Sequence, residues 1–171
     1  MITNAKMINS ETTNKRILYI SHDGMTDSLG QSQVLPYLCG LSKLGYKFHL
    51  ISLDKSEKFE QLSSVIYSIC KENNIEWHPV NYTKNPPVLN TLYDLYRMRK
   101  LAIKLNKEFK FDMIHCRGYL PTLIAQSLKD KWGIPLIFDM RGFWINERVD
   151  GNIWNLSNPI FNIIFTTLKK R

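Results

Sequence analysis

Short apolar runs alternate with longer amphipathic segments through most of this sequence. The short runs are rich in β-branched and aromatic residues, which is typical of strands. They span residues 16–21, 46–53, 75–80, 111–116 and 134–140. The segments between them carry apolar residues at helical spacing, most clearly at 88–109. Strands that alternate with helices form a parallel sheet with right-handed crossovers. The sequence therefore predicts the α/β fold class, with a Rossmann-like open parallel sheet and helices on both faces.

The same alternation sets the predicted domain organisation. Residues 1–14 are polar and predict a disordered arm, whereas 15–171 predict one Rossmann-like domain. No apolar run reaches the roughly 20 residues that a membrane span needs. After residue 140 the alternation gives way to a loop-like segment, and then to an aromatic helix at 158–171.

The chain carries a formal charge of +8, which favours an anionic partner. Nucleic acid, a nucleotide sugar and an anionic membrane surface all fit that charge. Nucleic acid is disfavoured, because no stacking aromatics are interleaved with the basic residues. The outer side of the helix at 88–109 is either a solvated face or a contact with an anionic membrane. Its basic residues are Arg97, Lys100, Lys104 and Lys107.

Cysteine and histidine usage narrows the class of protein further. The three cysteines lie far apart, which predicts reduced thiols in a cytoplasmic protein rather than a disulfide framework. The four histidines, at 22, 49, 78 and 115, show no metal-ligand spacing, so no metal site is expected.

Open parallel sheets bind ligands beyond the carboxyl ends of their strands. The segment 21–32, after the first strand, contains Gly24, Gly30 and several hydroxyl groups. It precedes a helix, and backbone amides at a helix start favour a phosphate. It matches neither the dinucleotide fingerprint nor the Walker loop. Two interpretations remain at this point, a phosphate-binding loop and a flexible polar turn.

The fourth strand ends with His115 and Arg117. A guanidinium at a strand tip beside a glycine suits a carboxylate or phosphate, although a surface salt bridge is the alternative. His115 is either functional or a hydrogen-bonded histidine of the strand end.

The segment 139–150, after the fifth strand, concentrates acids, arginines and aromatics. Asp139 and Glu147 suit hydrogen bonds from sugar hydroxyls, and Phe143 with Trp144 suits an apolar platform. Structural ion pairs that involve Arg141 and Arg148 are the alternative. We expect substrate binding, because a concentration of polar and aromatic groups in one loop at a strand end is typical of a binding site.

These motifs, in this order, resemble the N-terminal domain of group 1 (family 4) glycosyltransferases of the GT-B architecture. The resemblance covers nearly the whole chain from residue 15. It rests on Leu29-Gly-Gln-Ser-Gln-Val-Leu-Pro-Tyr-Leu38, Gly45, Asp112-Met-Ile-His115, Asp139-Met-Arg-Gly-Phe-Trp144 and Glu147-Arg-Val-Asp-Gly151.

The resemblance implies transfer of a sugar from a nucleotide donor, with retention at the anomeric carbon and without a bound metal or other cofactor. It implies that Gly30, with Leu29 and Gln31, approaches the donor diphosphate, and that Asp139 and Arg141 face the cleft. Family members often have a histidine at the position of Arg117. An arginine there suits the diphosphate or an anionic acceptor instead.

The resemblance also implies a C-terminal domain that carries most donor contacts and that these 171 residues lack. We therefore expect a fragment of a glycosyltransferase that is inactive by itself. Its partners are expected to be a nucleotide sugar, a glycan or lipid-linked acceptor and the missing domain, at the cytoplasmic face of the membrane. The alternative is a non-catalytic, flavodoxin-like binding module for an anionic ligand.

Overall fold

A computed structural model describes residues 14–84 and 87–140, together with single positions between 149 and 166. The chain divides into two compact units, Met1–Phe138 and Asp139–Arg171. The predicted arm at 1–14 lies outside the described residues, apart from residue 14. Most of the predicted helix at 158–171 lies outside them too, and its described residues at 159, 162, 163, 165 and 166 are helical.

The first unit is built around a five-stranded sheet in the order β3-β2-β1-β4-β5. The strands are β1 (Arg16–Ser21), β2 (Lys47–Asp54), β3 (Ile75–Asn81), β4 (Met113–Arg117) and β5 (Leu136–Asp139). The helices between them are α1 (Leu35–Ser42), α2 (Ser56–Glu72), α3 (Pro87–Phe109) and α4 (Tyr119–Trp132). The pairs β1–β2, β1–β4 and β2–β3 are parallel. The predicted Rossmann-like α/β class is confirmed.

The sheet separates two apolar cores, because successive residues of a strand point to opposite faces. Leu18 and Ile20 pack with Met98 of α3 on one face. Tyr19 packs with Leu38 of α1 on the other. Burial of each such side chain stabilises the fold by about 1.5–3 kcal/mol, so both faces need their helices. Among the described residues, no helix is both long and apolar enough to cross a membrane.

The first helix begins earlier than the sequence predicts. The predicted loop extends to residue 32, but the chain is helical from residue 28 and forms a π-helical turn at Gly30–Val34. The Leu35 N–H donates to the carbonyl of Gly30, five residues earlier. Pro36 cannot donate to the preceding turn, and this favours a widened turn before α1. The prediction of a loop at 28–32 was therefore wrong.

Candidate functional site

The candidate site is a crevice at the carboxyl edge of the sheet, between the ends of β1 and β4. These two strands are neighbours in the sheet. From β1 the chain continues to β2 on one side of the pair, and from β4 it continues to β5 on the opposite side. The two loops therefore diverge and open a crevice, which is the usual ligand position in such sheets. The residues around it lie at 22–29 and 117–119.

The loop after β1 is anchored by a buried carboxylate at the end of β2. The Asp54 Oδ1 accepts hydrogen bonds from the Thr26 backbone amide at 3.0 Å and from the Thr26 hydroxyl at 2.9 Å. The Ser52 hydroxyl donates to Asp54 Oδ2 at 2.5 Å and accepts from the Trp77 indole at 2.7 Å. Hydrogen bonds to a buried charged group contribute about 1.5–3 kcal/mol each, so this part of the loop is held in one conformation. The structure thus favours an organised loop over a flexible turn.

Two glycines let this loop pass between β2 and the first helix. A methyl group on Gly24 would lie 2.8 Å from Asp54 Oδ1, and one on Gly30 would lie 2.2 Å from the carbonyl oxygen of Gly24. Neither position has space for a side chain. Gly30 is therefore required by close packing of the helix start on the loop, whatever it contacts in a ligand.

The helix start offers amide donors of the type that bind phosphate. A helix leaves its first amides without internal partners, which here are those of Ser28, Leu29 and Gly30. The Leu29 side chain is half-buried. The side-chain amide of Gln31 donates to the Thr26 carbonyl at 2.9 Å, so Gln31 also supports the loop.

Lysines on the adjacent segment neutralise the acid that precedes this helix. Asp27 accepts from Lys58 at 2.9 Å and from Lys55 at 3.1 Å. Burial raises the pKa of Asp27, but the hydrogen bonds from Lys58 and Lys55 outweigh it and hold the pKa below its usual value. The carboxylate is therefore compensated, which reduces its repulsion of an anionic ligand at the helix start.

His115 lies inside the site rather than on its surface. Its ring centroid is 4.7 Å from that of Tyr19 and 5.7 Å from that of Tyr37, and only 7% of the residue is exposed. Tyr19 pairs with His115 across the β1–β4 register, so both point toward α1. The histidine therefore packs between the sheet and the first helix, two residues before Arg117.

Arg117 spans the crevice. Its Nε lies 3.6 Å from Asp23 Oδ2, and its guanidinium also hydrogen-bonds the side-chain oxygen of Gln33. Arg117 therefore forms an ion pair with a largely buried side chain, and its contacts join β4 to both the loop and the first helix. A guanidinium in this position carries the positive charge of the site.

The remaining predicted substrate residues follow β5. Asp139 is its last residue, is half-buried and opens the second compact unit. Arg141, Phe143, Trp144 and Glu147 lie outside the described residues. Their predicted role in substrate binding stays a prediction.

The basic residues of α3 divide into two kinds. Arg97 donates to the Asn81 carbonyl at 2.9 Å and to the buried Asp94 at 3.3 Å, so it fixes the loop after β3. Lys100, Lys104 and Lys107 are exposed. The predicted basic face therefore consists of three solvated lysines and one arginine that is engaged within the fold.

Sequence reasoning missed Asp54. The available signal is an acidic residue at the end of a strand rich in apolar residues, where a buried charge needs partners. Its main partner, Thr26, is 28 positions earlier, so only the folded structure identifies it.

A glycine-bearing loop lies at the switch point of the parallel sheet, with an arginine across the crevice, and this is where Rossmann-like domains bind their ligands. The model of Glycosyltransferase Family 4 matches residues 31–170. The chain therefore belongs to this family, and its fold is that of the N-terminal domain of GT-B glycosyltransferases.

Solved structures share the fold at low sequence identity. The chain is similar to CalG4, the calicheamicin glycosyltransferase, with a TM-score of 0.58 and 12% identity over 92% of this chain and 43% of that one. The glycotransferase of kitacinnamycin gives a TM-score of 0.53 and 15% identity over 74% of this chain and 30% of that one. This chain thus spans less than half the length of either enzyme.

A third similar structure is not a transferase. The C-terminal domain of a hydrogenase from Pyrococcus furiosus gives a TM-score of 0.56 and 14% identity over 74% of this chain and 91% of that domain. Among curated proteins, none matches the sequence. The fold is therefore shared between functions, and the family match is what assigns the chain to glycosyltransferases.

Proposed function

We propose that this chain is the acceptor-side domain of a retaining glycosyltransferase, which transfers a sugar from a nucleotide-sugar donor to a lipid-linked acceptor at the cytoplasmic face of a membrane. The observation that carries the proposal is the family match together with the organised loop and Arg117 at the switch-point crevice. Retention, the nucleotide donor and the absence of a metal from the reaction follow from the resemblance to the family.

The proposed chemistry assigns electrostatic roles to the crevice. As the bond from the anomeric carbon to the diphosphate breaks, negative charge grows on the leaving oxygen. Amides of Leu29 and Gly30 and the guanidinium of Arg117 are groups that stabilise such charge. The acceptor hydroxyl oxygen bonds to the anomeric carbon, and its proton leaves with the diphosphate. His115 supports Tyr37.

The outer face of α3 supports a lipid-linked acceptor over a free glycan. We define this face by four apolar residues, each more than half exposed, and by the three lysines that follow them. They are Leu89, Leu92, Tyr93, Tyr96, Lys100, Lys104 and Lys107. At 100° per residue all seven lie on one side of the helix. Apolar and aromatic side chains beside lysines are the pattern of helices that lie on anionic membranes.

The transfer is tested on the protein produced from its complete reading frame. The assay incubates it with a panel of nucleotide sugars and extracted membrane lipid, and measures the released nucleoside diphosphate and labelled lipid. Nuclear magnetic resonance of the product gives its anomeric configuration. We expect a retained configuration, and we expect Arg117→Lys to lower kcat/KM by about tenfold to a hundredfold, since a charge-assisted hydrogen bond is lost.

The matched control is Arg99→Lys, because Arg99 contacts Ser127 on the outer side of α3 and α4. It should leave kcat/KM unchanged. Inversion of configuration would contradict the retaining mechanism. Donor binding without any turnover would favour the alternative, a non-catalytic module for an anionic ligand.

Membrane contact is tested by co-sedimentation of the chain with vesicles of phosphatidylglycerol and phosphatidylcholine. Binding should rise with the anionic fraction and fall with salt, and Leu92→Ser with Tyr96→Ser should abolish it. Val65→Ser is the control, since Val65 is a similarly exposed apolar residue on α2. Equal binding to neutral vesicles at all salt concentrations would contradict the proposal.

A further inference from the structure

Two histidines and a glutamate share one face of the sheet near its amino-terminal edge, away from the crevice. His49 of β2 pairs with Glu76 of β3 in the parallel register. His78 is two residues beyond Glu76, so its side chain points to the same face. The ligand atoms of these three residues lie within 4.8 Å of one another, and within the described residues no other group of this kind is found.

The two imidazoles meet edge to edge. His49 Nδ1 is 3.2 Å from His78 Nε2, the ring centroids are 5.5 Å apart and the ring planes differ by 4°. Parallel rings with these two distances must be coplanar, with the two nitrogens aimed at each other. The two nitrogens therefore form a hydrogen bond in which one ring donates and the other accepts, according to the tautomer. The same His49 nitrogen is 3.5 Å from Glu76 Oε2.

We propose that His49, Glu76 and His78 bind one zinc ion. Imidazole nitrogen and carboxylate oxygen are standard zinc ligands, and two ligand atoms about 2.0–2.1 Å from a tetrahedral ion lie about 3.3 Å apart. The observed separations of 3.2 and 3.5 Å are close to that tetrahedral edge, but the two nitrogens aim at each other, so the His78 ring and the Glu76 carboxylate must turn for the lone pairs to converge on the ion. The shared proton moves to the outer nitrogen of its ring, so that both facing nitrogens present lone pairs to the ion.

The residues that pack around the three proposed ligands are compatible with a zinc site. Phe109 and Phe111 pack against the His49 ring at centroid distances of 4.2 and 5.0 Å, and they hold it in place. His78 is only partly buried and Glu76 is exposed, so both side chains have room to turn toward an ion.

An open cleft and four charged groups surround the proposed ligands. The three residues border an open cleft of about 650 Å³, which leaves the fourth coordination position to water. Glu108 acts on both histidines as a second negative charge, whereas Arg16 and Lys104 act on them as positive charges. Glu76 and Glu108 oppose the charge of the ion, whereas Arg16 and Lys104 add to it.

The test uses the untagged chain, dialysed against zinc and assayed by mass spectrometry for bound metal. Competition with a chromophoric chelator gives the dissociation constant, and Co²⁺ in place of zinc reports the geometry through its visible absorption. We expect one ion per chain, a dissociation constant of about 1 µM or lower and a tetrahedral Co²⁺ spectrum.

His78→Gln and Glu76→Gln should each weaken zinc binding by at least about tenfold, the loss that follows even when a group that only orients a ligand is removed. His22→Gln and Glu60→Gln are the matched controls and should leave the affinity unchanged. Both ligand variants alter side chains at the edge of the fold, and circular dichroism checks that they remain folded. The proposal is overturned if the chain binds no zinc at concentrations near the expected dissociation constant of about 1 µM. Equal affinity in His78→Gln and the unaltered chain would overturn it too.

Discussion

The Thr26 amide and hydroxyl donate to the same oxygen of Asp54, at 3.0 and 2.9 Å. Both residues are almost fully buried. This contact ties the loop after β1 to the end of β2, and thereby fixes the helix start that borders the crevice. The acidic residue at the end of β2 is thus occupied within the fold, which removes it from the contacts available to a ligand.

Asp54→Ala should destabilise the chain by at least about 3 kcal/mol, because three hydrogen bonds to a charged acceptor are lost and the Thr26 amide is left buried. Urea unfolding followed by circular dichroism measures the change. Thr26→Val is the comparison, since it keeps the amide contact and removes only the hydroxyl. Thr26→Val should lower the free energy of unfolding by about 1–2 kcal/mol. Equal losses in the two variants would contradict the role of the amide.

Two glycines of the first helix should respond oppositely to alanine. Gly30→Ala places a methyl group 2.2 Å from the Gly24 carbonyl oxygen, which is part of the backbone. The backbone must shift, and we expect a loss of about 1–3 kcal/mol in unfolding free energy. Gly40 has no atom within 4 Å of the corresponding position. Gly40→Ala should therefore stabilise the chain by about 0.5–1 kcal/mol through helix propensity.

Thermal and urea unfolding of both variants, under the same conditions, separates the two effects. The pair controls for the general effect of adding a methyl group to a helix. If Gly30→Ala were as stable as Gly40→Ala, the close approach of helix and loop would not exist in solution.

The alternation of strands and helices was sufficient to predict the parallel sheet and to direct attention to its carboxyl edge. Periodicity depends on near neighbours in sequence, which is why it succeeds there. The Asp54–Thr26 contact and the zinc site depend on pairing between β1, β2 and β3. His49 and Glu76 are 27 positions apart and become neighbours only through the strand register. No local pattern encodes that register, so the spacing of the histidines gave no signal.

The predicted start of the first helix was wrong for a different reason. A proline usually lies in the first turn of a helix, so Pro36 predicts a start near residue 34. The chain instead continues the helix backward through a π-helical turn at Gly30–Val34. A glycine at residue 30 allows this, because it lets the turn pack against Gly24. Local propensity is overridden here by a tertiary contact.

Cysteine labelling should follow burial. Burial raises the pKa of Cys70 to about 12, and burial also raises the pKa of the partly exposed Cys39. Alkylation of the native chain near pH 8 should therefore modify Cys39 slowly and leave Cys70 and the buried Cys116 unmodified. Peptide mass spectrometry identifies the labelled sites. In denaturant all three cysteines should react at similar rates. If Cys70 in the native chain reacted as fast as Cys39, the observed burial of Cys70 would be contradicted.

Asp112 should make the stability of the chain depend on pH. Its carboxylate accepts the Arg16 backbone N–H at 2.9 Å, and it also contacts Lys15 at 3.2 Å. These contacts hold the pKa of Asp112 below its usual value. A pKa that is lower in the folded state adds stability above the unfolded pKa, and this stability is lost as the pH falls through the folded pKa. At pH 7, Asp112→Asn should therefore be less stable than the unaltered chain, by at most about 1 kcal/mol because the site is exposed.

Urea unfolding of the two proteins between pH 7 and about pH 3 tests this, since the difference should shrink as the carboxyl is protonated. High salt is the control: it screens the Lys15 charge but leaves the hydrogen bond from the Arg16 amide, so part of the difference at pH 7 should persist. A difference that is constant across the pH range would show that the carboxylate charge does not stabilise the edge of β1.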